Sequence, residues 1–228
     1  WRPQNQPLAT AIPPTALEPC TRHWLILADA GGIGQQLRTL FQQQGDTCTL
    51  IFQTPVTAPG AQALALDQRD ANALQDLVAA LAPPPTGVLH LWSLDTPGSN
   101  SAIDLTMRLG CESLLYLVQA LSRQTVTMPR LWVVTRGAQA VLAGDTLPGL
   151  PQAPLWGMAK VVGLEYPDTQ VTCIDLVPTP VTTSANEEAH LLWREVHATT
   201  TAEQIAYRHQ TRYVARLGRN EQATSATS

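Results

Sequence analysis

Short apolar runs alternate along this chain with longer stretches in which apolar residues recur every three or four positions. A continuous apolar run of strand length predicts a strand buried on both faces, and the three-to-four spacing predicts a helix buried on one. The first run, 23–28, ends at the glycine cluster 31–34. An amphipathic stretch follows over 35–44 and stops at Gly45, where glycine tolerates the left-handed turn that ends many helices. The run 47–52 has strand composition, so the segment reads as strand, glycine turn, helix, strand. The alternation continues. A helix is expected over 70–82, capped by Asp70, with Leu74, Leu77, Val78 and Leu81 on one face and Pro83–Pro85 as its stop. Strands are predicted over 88–92, 131–135 and 171–177, and helices over 102–123, 156–165 and 185–196. The runs 204–207 and 212–217 read as a final hairpin.

Strands that alternate with helices predict an α/β fold, a parallel sheet flanked by helices on both faces, here with a C-terminal β-hairpin. The expected organisation is an extended, Pro-, Ala- and Thr-rich N-terminal segment over 1–21, one domain over 22–217 and a small, polar linker or tail over 218–228. The start at Trp1 in place of Met reads as a piece of a longer chain.

Composition narrows the function classes. The 228 residues are 44% hydrophobic, enough for a filled core, and only 14% charged, against about a quarter in ordinary domains. So sparse a charge fits a surface partly covered by other protein, or one rich in Gln and Thr. A net charge of −4 without a basic stripe argues against nucleic acid. Apolar runs of strand length argue against a membrane span. Four scattered cysteines, Cys20, Cys48, Cys111 and Cys173, form no CxxC pair, which fits a reduced, cytoplasmic setting and offers no metal site.

The glycine turn 27–37, L-A-D-A-G-G-I-G-Q-Q-L, is the obvious candidate for chemistry. A glycine-rich turn between a strand and a helix lets the backbone approach a pyrophosphate, which then meets the free N–H groups of the helix N-terminus. The fingerprint is G-x-G-x-x-G. Gly32 and Gly34 supply its first two positions, but Leu37 stands at the third. In the variant T-G-x-x-x-G-x-G, Leu27 and Ala28 replace the threonine and first glycine. Asp29 adds negative charge where a phosphate would lie. The second predicted strand ends Phe52-Gln53-Thr54, with neither the acidic residue that holds a ribose nor an arginine for a 2′-phosphate. Asp67 and Asp70, just beyond, are expected to serve the next helix as caps.

Five segments resemble one family: D-A-G-G-I-G at 29–34, H-L-W-S-L at 90–94, L-W-V-V-T-R-G-A at 131–138, A-P-L-W-G-M-A-K-V-V-G-L-E-Y-P at 153–167 and R-Y-V-A-R-L at 212–217. Collinear from about Trp1 to Leu217, they resemble the structural subdomain of ketoreductases in modular type I polyketide synthases, a truncated Rossmann-like unit of the short-chain dehydrogenase/reductase superfamily. The resemblance implies a subdomain that binds no cofactor. It also implies a second, catalytic half that carries NADPH and reduces a β-ketoacyl group on an acyl carrier protein, following R-Y-V-A-R-L after a linker.

The residues agree with an inactive half. Reduction in that superfamily needs Tyr-x-x-x-Lys on a helix, the tyrosine giving a proton to the developing alkoxide and the lysine lowering its pKa. Four residues after Tyr116, Tyr166, Tyr207 and Tyr213 stand Ala120, Gln170, Thr211 and Leu217. The sole lysine, Lys160, follows Trp156 instead, and an indole is not an acid at neutral pH. Trp156 is expected to pack under the helix and Lys160 to lie on its surface. Thr135 and Arg136 stand where a catalytic serine is expected, and Ser93-Leu94-Asp95 replaces an N-A-G turn. No residue is therefore assigned a catalytic, cofactor-binding or metal-binding role.

The expectation is a non-catalytic chain that braces a catalytic ketoreductase subdomain among neighbouring polyketide synthase domains, its hairpin or N-terminal strand extending the partner's sheet. Other readings are the structural half of an inactive pseudo-ketoreductase beside a methyltransferase or enoylreductase, and an atypical active NAD(P)-dependent reductase. A methyltransferase using the glycine turn would want an acidic end to the second strand. A hydrolase would want G-x-S-x-G, which is absent. Arg130, Arg136, Arg208 and Arg212 offer cations to the acidic helix of an acyl carrier protein.

Overall fold

The computed structural model describes residues 1–4, 21–53, 63–65, 71–96, 103–124, 127–178, 184–198, 202–208 and 211–217. Nine strands form one sheet: β1 (Arg2–Pro3), β2 (His23–Leu27), β3 (Thr47–Phe52), β4 (Ala63–Ala65), β5 (Gly87–His90), β6 (Arg130–Arg136), β7 (Val171–Leu176), β8 (Gln204–Arg208) and β9 (Thr211–Val214). Their order is β1-β9-β8-β7-β6-β5-β2-β3-β4. The seven from β4 to β8 are parallel, and β9 and β1 are antiparallel at one edge. The order reverses beside β2: β3 lies on one side of it and β5 on the other. This is the switch point at which doubly wound sheets open a crevice at their carboxyl ends.

Every residue of β2, β5 and β7 is buried, as strands covered on both faces require. Helices α1 (Ile33–Gln43) and α6 (Ala185–His197) cover one face, where Trp24 stacks flat on Phe41 at 4.3 Å between ring centroids. Helices α2 (Ala71–Ala80), α4 (Ser113–Ser122) and α5 (Pro154–Glu165) cover the other. A short α3 (Ile103–Met107) runs through a π-helical segment, Arg108–Glu112, into α4. Ser184 caps α6 in a reciprocal box: its hydroxyl accepts from the Glu187 N–H, and the Glu187 carboxylate accepts from the Ser184 N–H.

The α/β class and the parallel sheet agree with the sequence reading. Three details differ. The strand expected over 88–92 ends at His90, because Trp92–Asp95 turns into a 3-10 helix. The helix expected over 102–123 contains the π segment. One strand, β4, is not foreseen by the sequence pattern; at three residues it is too short to show a period. Within this chain β9 pairs with β8 and, on its other side, with the N-terminal strand β1, Arg2 beside Val214 and Pro3 beside Tyr213. A proline fits such an edge, where its missing N–H breaks no ladder. Residues 5–20 and 218–228, and with them most of the expected N-terminal segment and tail, lie outside the described residues, as do Asp67 and Asp70.

Candidate functional site

The crevice at the carboxyl ends of β2, β5 and β6 is where a dinucleotide would lie in such a sheet. The glycine turn has the backbone for it. Gly32 sits at φ 95°, a left-handed conformation that suits glycine, and α1 starts at the next residue. A Cβ on Gly34 would fall 2.7 Å from the Ala28 Cβ, so glycine is needed there for α1 to pack close to β2.

Two N–H groups at the start of α1, those of Ile33 and Gly34, already have an internal acceptor. Asp29 is buried, and its carboxylate accepts from Gly34 N–H at 2.8 Å and from Ile33 N–H at 3.2 Å. An internal carboxylate therefore occupies the helix N-terminus, which favours negative charge through its free donors and dipole. Asp95, in the 3-10 turn after β5, accepts from Ala30 N–H at 2.9 Å in the same turn. Burial pushes the Asp29 pKa up, while its hydrogen bonds and Arg136 pull it back only in part. Burial also pushes Asp95 up, to about 6; the Ala30 bond opposes this and the nearby Asp29 adds to it. Two carboxylates thus face the place where a pyrophosphate would bring more negative charge. Leu37, at the third glycine position, is buried in the core. At the end of β3, Gln53 spans to the Trp92 carbonyl at 3.4 Å instead of presenting a carboxylate to a ribose.

Trp156 and Thr135, set by the sequence reading where the reductase tyrosine and serine are expected, lie in a buried relay of hydrogen bonds. Trp156 is buried on α5, and its indole N–H donates to Thr135 Oγ1 at 2.9 Å. The Thr135 hydroxyl donates to Asp175 Oδ1 at 2.8 Å. Asp175, fully buried near the end of β7, also accepts from Ala138 N–H at 2.9 Å and from Arg208 Nη2 at 2.8 Å. Arg208 continues to Asp145 at 3.0 Å and to the Gln139 carbonyl at 2.7 Å. Each proton donor is spent on a neighbour, and the loop after β6 is pinned to the sheet. Lys160 is exposed on α5. Ser93, in the turn after β5, donates its hydroxyl to the Val134 carbonyl. The sequence shows which residues are missing but not what replaces them. Asp29 reads there only as unwelcome charge, and Asp175 and Arg208 are 33 positions apart with no motif to join them.

Three of the four arginines offered to an acidic partner are paired with carboxylates of this chain. Arg136 grips Glu188 through both terminal nitrogens, at 2.6 and 2.7 Å. Arg212 grips Glu195, at 2.8 and 2.9 Å. Arg208 is buried in the relay, and Arg130 lies over the Trp132 ring at 4.4 Å. Arg136, Arg208 and Arg212 thus already face internal carboxylates. Among the described residues, no three or more His, Cys, Asp or Glu are grouped to hold a metal, and no helix is long and apolar enough to cross a membrane.

A seven-strand parallel sheet wound on both sides of a glycine turn defines the Rossmann-like class of the short-chain dehydrogenases/reductases. Solved structures agree. One such enzyme from Vibrio parahaemolyticus superposes with a TM-score of 0.59 at 16% identity, over 81% of this chain and 98% of that one. The first ketoreductase of the tylosin polyketide synthase superposes with a TM-score of 0.57 at 25% identity, over 85% of this chain and 38% of that one. Residues 51–217 match the family model of the Rossmann fold domain of the polyketide synthase extender module SpnB, and the chain belongs to that family. One polypeptide of the phenolphthiocerol/phthiocerol polyketide synthase of Mycobacterium tuberculosis is 30% identical over 220 residues, which are 94% of this chain and 12% of that protein. The chain thus spans about an eighth of the length of that relative.

Proposed function

We propose that this chain is a non-catalytic structural subdomain of a polyketide synthase ketoreductase. In this reading it stabilises a catalytic half that reduces a β-ketoacyl group on an acyl carrier protein with NADPH, and it holds no cofactor itself. The observation that carries the reading is the Asp29 carboxylate bound to the Ile33 and Gly34 N–H groups. The turn keeps its shape because an internal anion fills it, and that anion repels the phosphates the same shape would otherwise attract. The Trp156–Thr135–Asp175 relay supports the reading independently, since it uses the catalytic positions to fix loops. Residues 22–217 form the subdomain, and the flanking stretches connect it to neighbouring domains of the multienzyme. The cytoplasm suits the free thiols of Cys48, Cys111 and Cys173.

The test has two arms. The 228-residue chain, mixed with NADPH and a short β-ketoacyl thioester, should oxidise no NADPH above background. A polyketide synthase polypeptide that reduces the same thioester should lose that activity and its soluble fold when residues 22–217 are deleted. Turnover by the isolated chain, or full reduction by the deleted polypeptide, would overturn the proposal.

A further inference from the structure

The segment between β6 and α5 folds into a compact loop closed at its neck. Gly149 N–H donates to the Gly137 carbonyl at 3.1 Å, and a Cβ on Gly149 would collide with the Arg136 carbonyl. Compact surface loops whose ends meet are frequently functional. Beyond the neck, Ala140, Ala143, Gly144, Thr146 and Pro148 are exposed. Val141, Leu142 and Leu147 are half-buried and belong to neither hydrophobic core cluster. The loop keeps its shape through Asp145, whose Oδ2 accepts from the Val141 N–H at 3.0 Å and from the Leu142 N–H at 3.1 Å. It is tied to the sheet at two points. At the base, the Ala138 and Gln139 N–H groups donate to Asp175, and the Gln139 carbonyl accepts from Arg208. At the tip, Asp145 Oδ2 accepts from Arg208 Nε at 3.0 Å. Among the described residues, 140–148 make no other hydrogen bond beyond 137–150. Arg208 and Asp175 pair at 2.8 Å, with side chains 2% and 0% exposed. The five N–H donors of Arg208 are all in use. Nη1 meets the Leu176 and Tyr207 carbonyls, Nη2 meets Gln139 and Asp175, and Nε alone meets the tip.

We propose that residues 140–148 are a lid over the buried Arg208–Asp175 pair, latched by the Asp145–Arg208 contact and pivoting at the Gly137–Gly149 neck. A single charged anchor and no share in the hydrophobic cores mark a segment that opens on its own. With the latch released, the tip leaves and the base stays, because Ala138 and Gln139 remain bonded to Asp175. No lid residue belongs to a strand, so the sheet keeps its ladders. Opening lets water reach Arg208 Nε and, behind it, the Asp175–Thr135–Trp156 relay. The inference stands on this geometry and not on whether the chain binds a cofactor.

Exchange of the Arg208 Nε proton with solvent, followed by NMR in the 228-residue chain, reads the latch. A lid that opens alone exposes little surface. This exchange should therefore hardly change with urea below the unfolding transition, whereas the backbone amides of β7 and β8 should speed up. Asp145→Asn keeps an acceptor for the Val141 and Leu142 N–H groups and removes the charge that faces Arg208. In this variant the Nε exchange should be about tenfold faster, the size expected for weakening one hydrogen bond between charged groups, and still insensitive to urea. A wild-type Nε exchange that rises with urea as steeply as the β8 amides would overturn the proposal, since the loop would then open only with the sheet. An Asp145→Asn exchange equal to the wild type would overturn it too, since Asp145 would then hold nothing shut. Neither arm uses NADPH, so failure here and failure of the non-catalytic reading are told apart.

Discussion

His90 shows how much a single buried group can say. His90 Nε2 lies 2.6 Å from Ser113 Oγ, and a Ser113 hydroxyl that donates to the Leu109 carbonyl at 2.7 Å accepts from a proton on Nε2. Its Nδ1 is left buried and without a hydrogen-bond partner among the described residues. A second proton would put an unpaired cation in the core, and burial lowers the His90 pKa to about 4. The unfolded chain, near 6.5, takes up that proton first. The His90 contribution is therefore fully present above about pH 6.5 and is lost as the pH falls toward 4. About 2 kcal/mol should disappear between about pH 6.5 and 5, and urea unfolding of His90→Gln should lack that component. Asp95 has the opposite sign. Its folded pKa is raised to about 6, so its protonated form is favoured in the fold, and stability falls as the pH rises from 3.8 through 6. Asp95→Asn keeps the acceptor for the Ala30 N–H without the charge. It should stabilise the chain at about pH 7.5 by about 1 kcal/mol, after discounting for the group's partial exposure, and leave stability at about pH 4 unchanged.

At the level of elements, the hairpin and α6 are joined by charge. Glu195 accepts from Arg212 twice and from the Tyr207 hydroxyl at 2.7 Å, deep under α6. Burial alone would lower the Arg212 pKa, but the Glu195 carboxylate raises it overall. Glu195→Gln leaves a buried guanidinium short of its counter-charge and should cost about 3 kcal/mol, with faster amide exchange in β8 and β9. The α5 helix makes the complementary point. Trp156→Tyr recreates the spacing of the reductase tyrosine and lysine, yet no NADPH oxidation should follow, because the turn remains closed by Asp29 and Thr135 is still bonded to Asp175. Much of this architecture is legible in the sequence. The runs at 47–52 and 171–177 and the helical spacing of Leu114, Leu117, Val118 and Leu121 carry strong periods, and their elements lie where those periods fall. What hides is non-periodic. Trp92 looks like a strand residue but turns away so that its indole N–H reaches the Ile51 carbonyl at 3.1 Å. The π segment leaves no mark in the pattern either.

At the level of the whole molecule, the proposed absence of a cofactor rests on side chains of the chain itself that line the crevice. Asp29 fills the turn, Asp95 flanks it, Arg136 and Glu188 pair at the end of β6, and the Trp156 relay fixes the loop above. The absence of a Tyr-x-x-x-Lys spacing can be read directly, since motifs are local. The contacts found instead cannot, because Asp29 and Asp95, or Thr135 and Asp175, meet only through the order of the strands. The most direct test of the account is a calorimetric titration of the 228-residue chain with NADPH at millimolar concentration. The closed turn predicts no binding heat and no rise in melting temperature. A saturable micromolar affinity would contradict it, for the Ile33 and Gly34 N–H groups would then be open to phosphate.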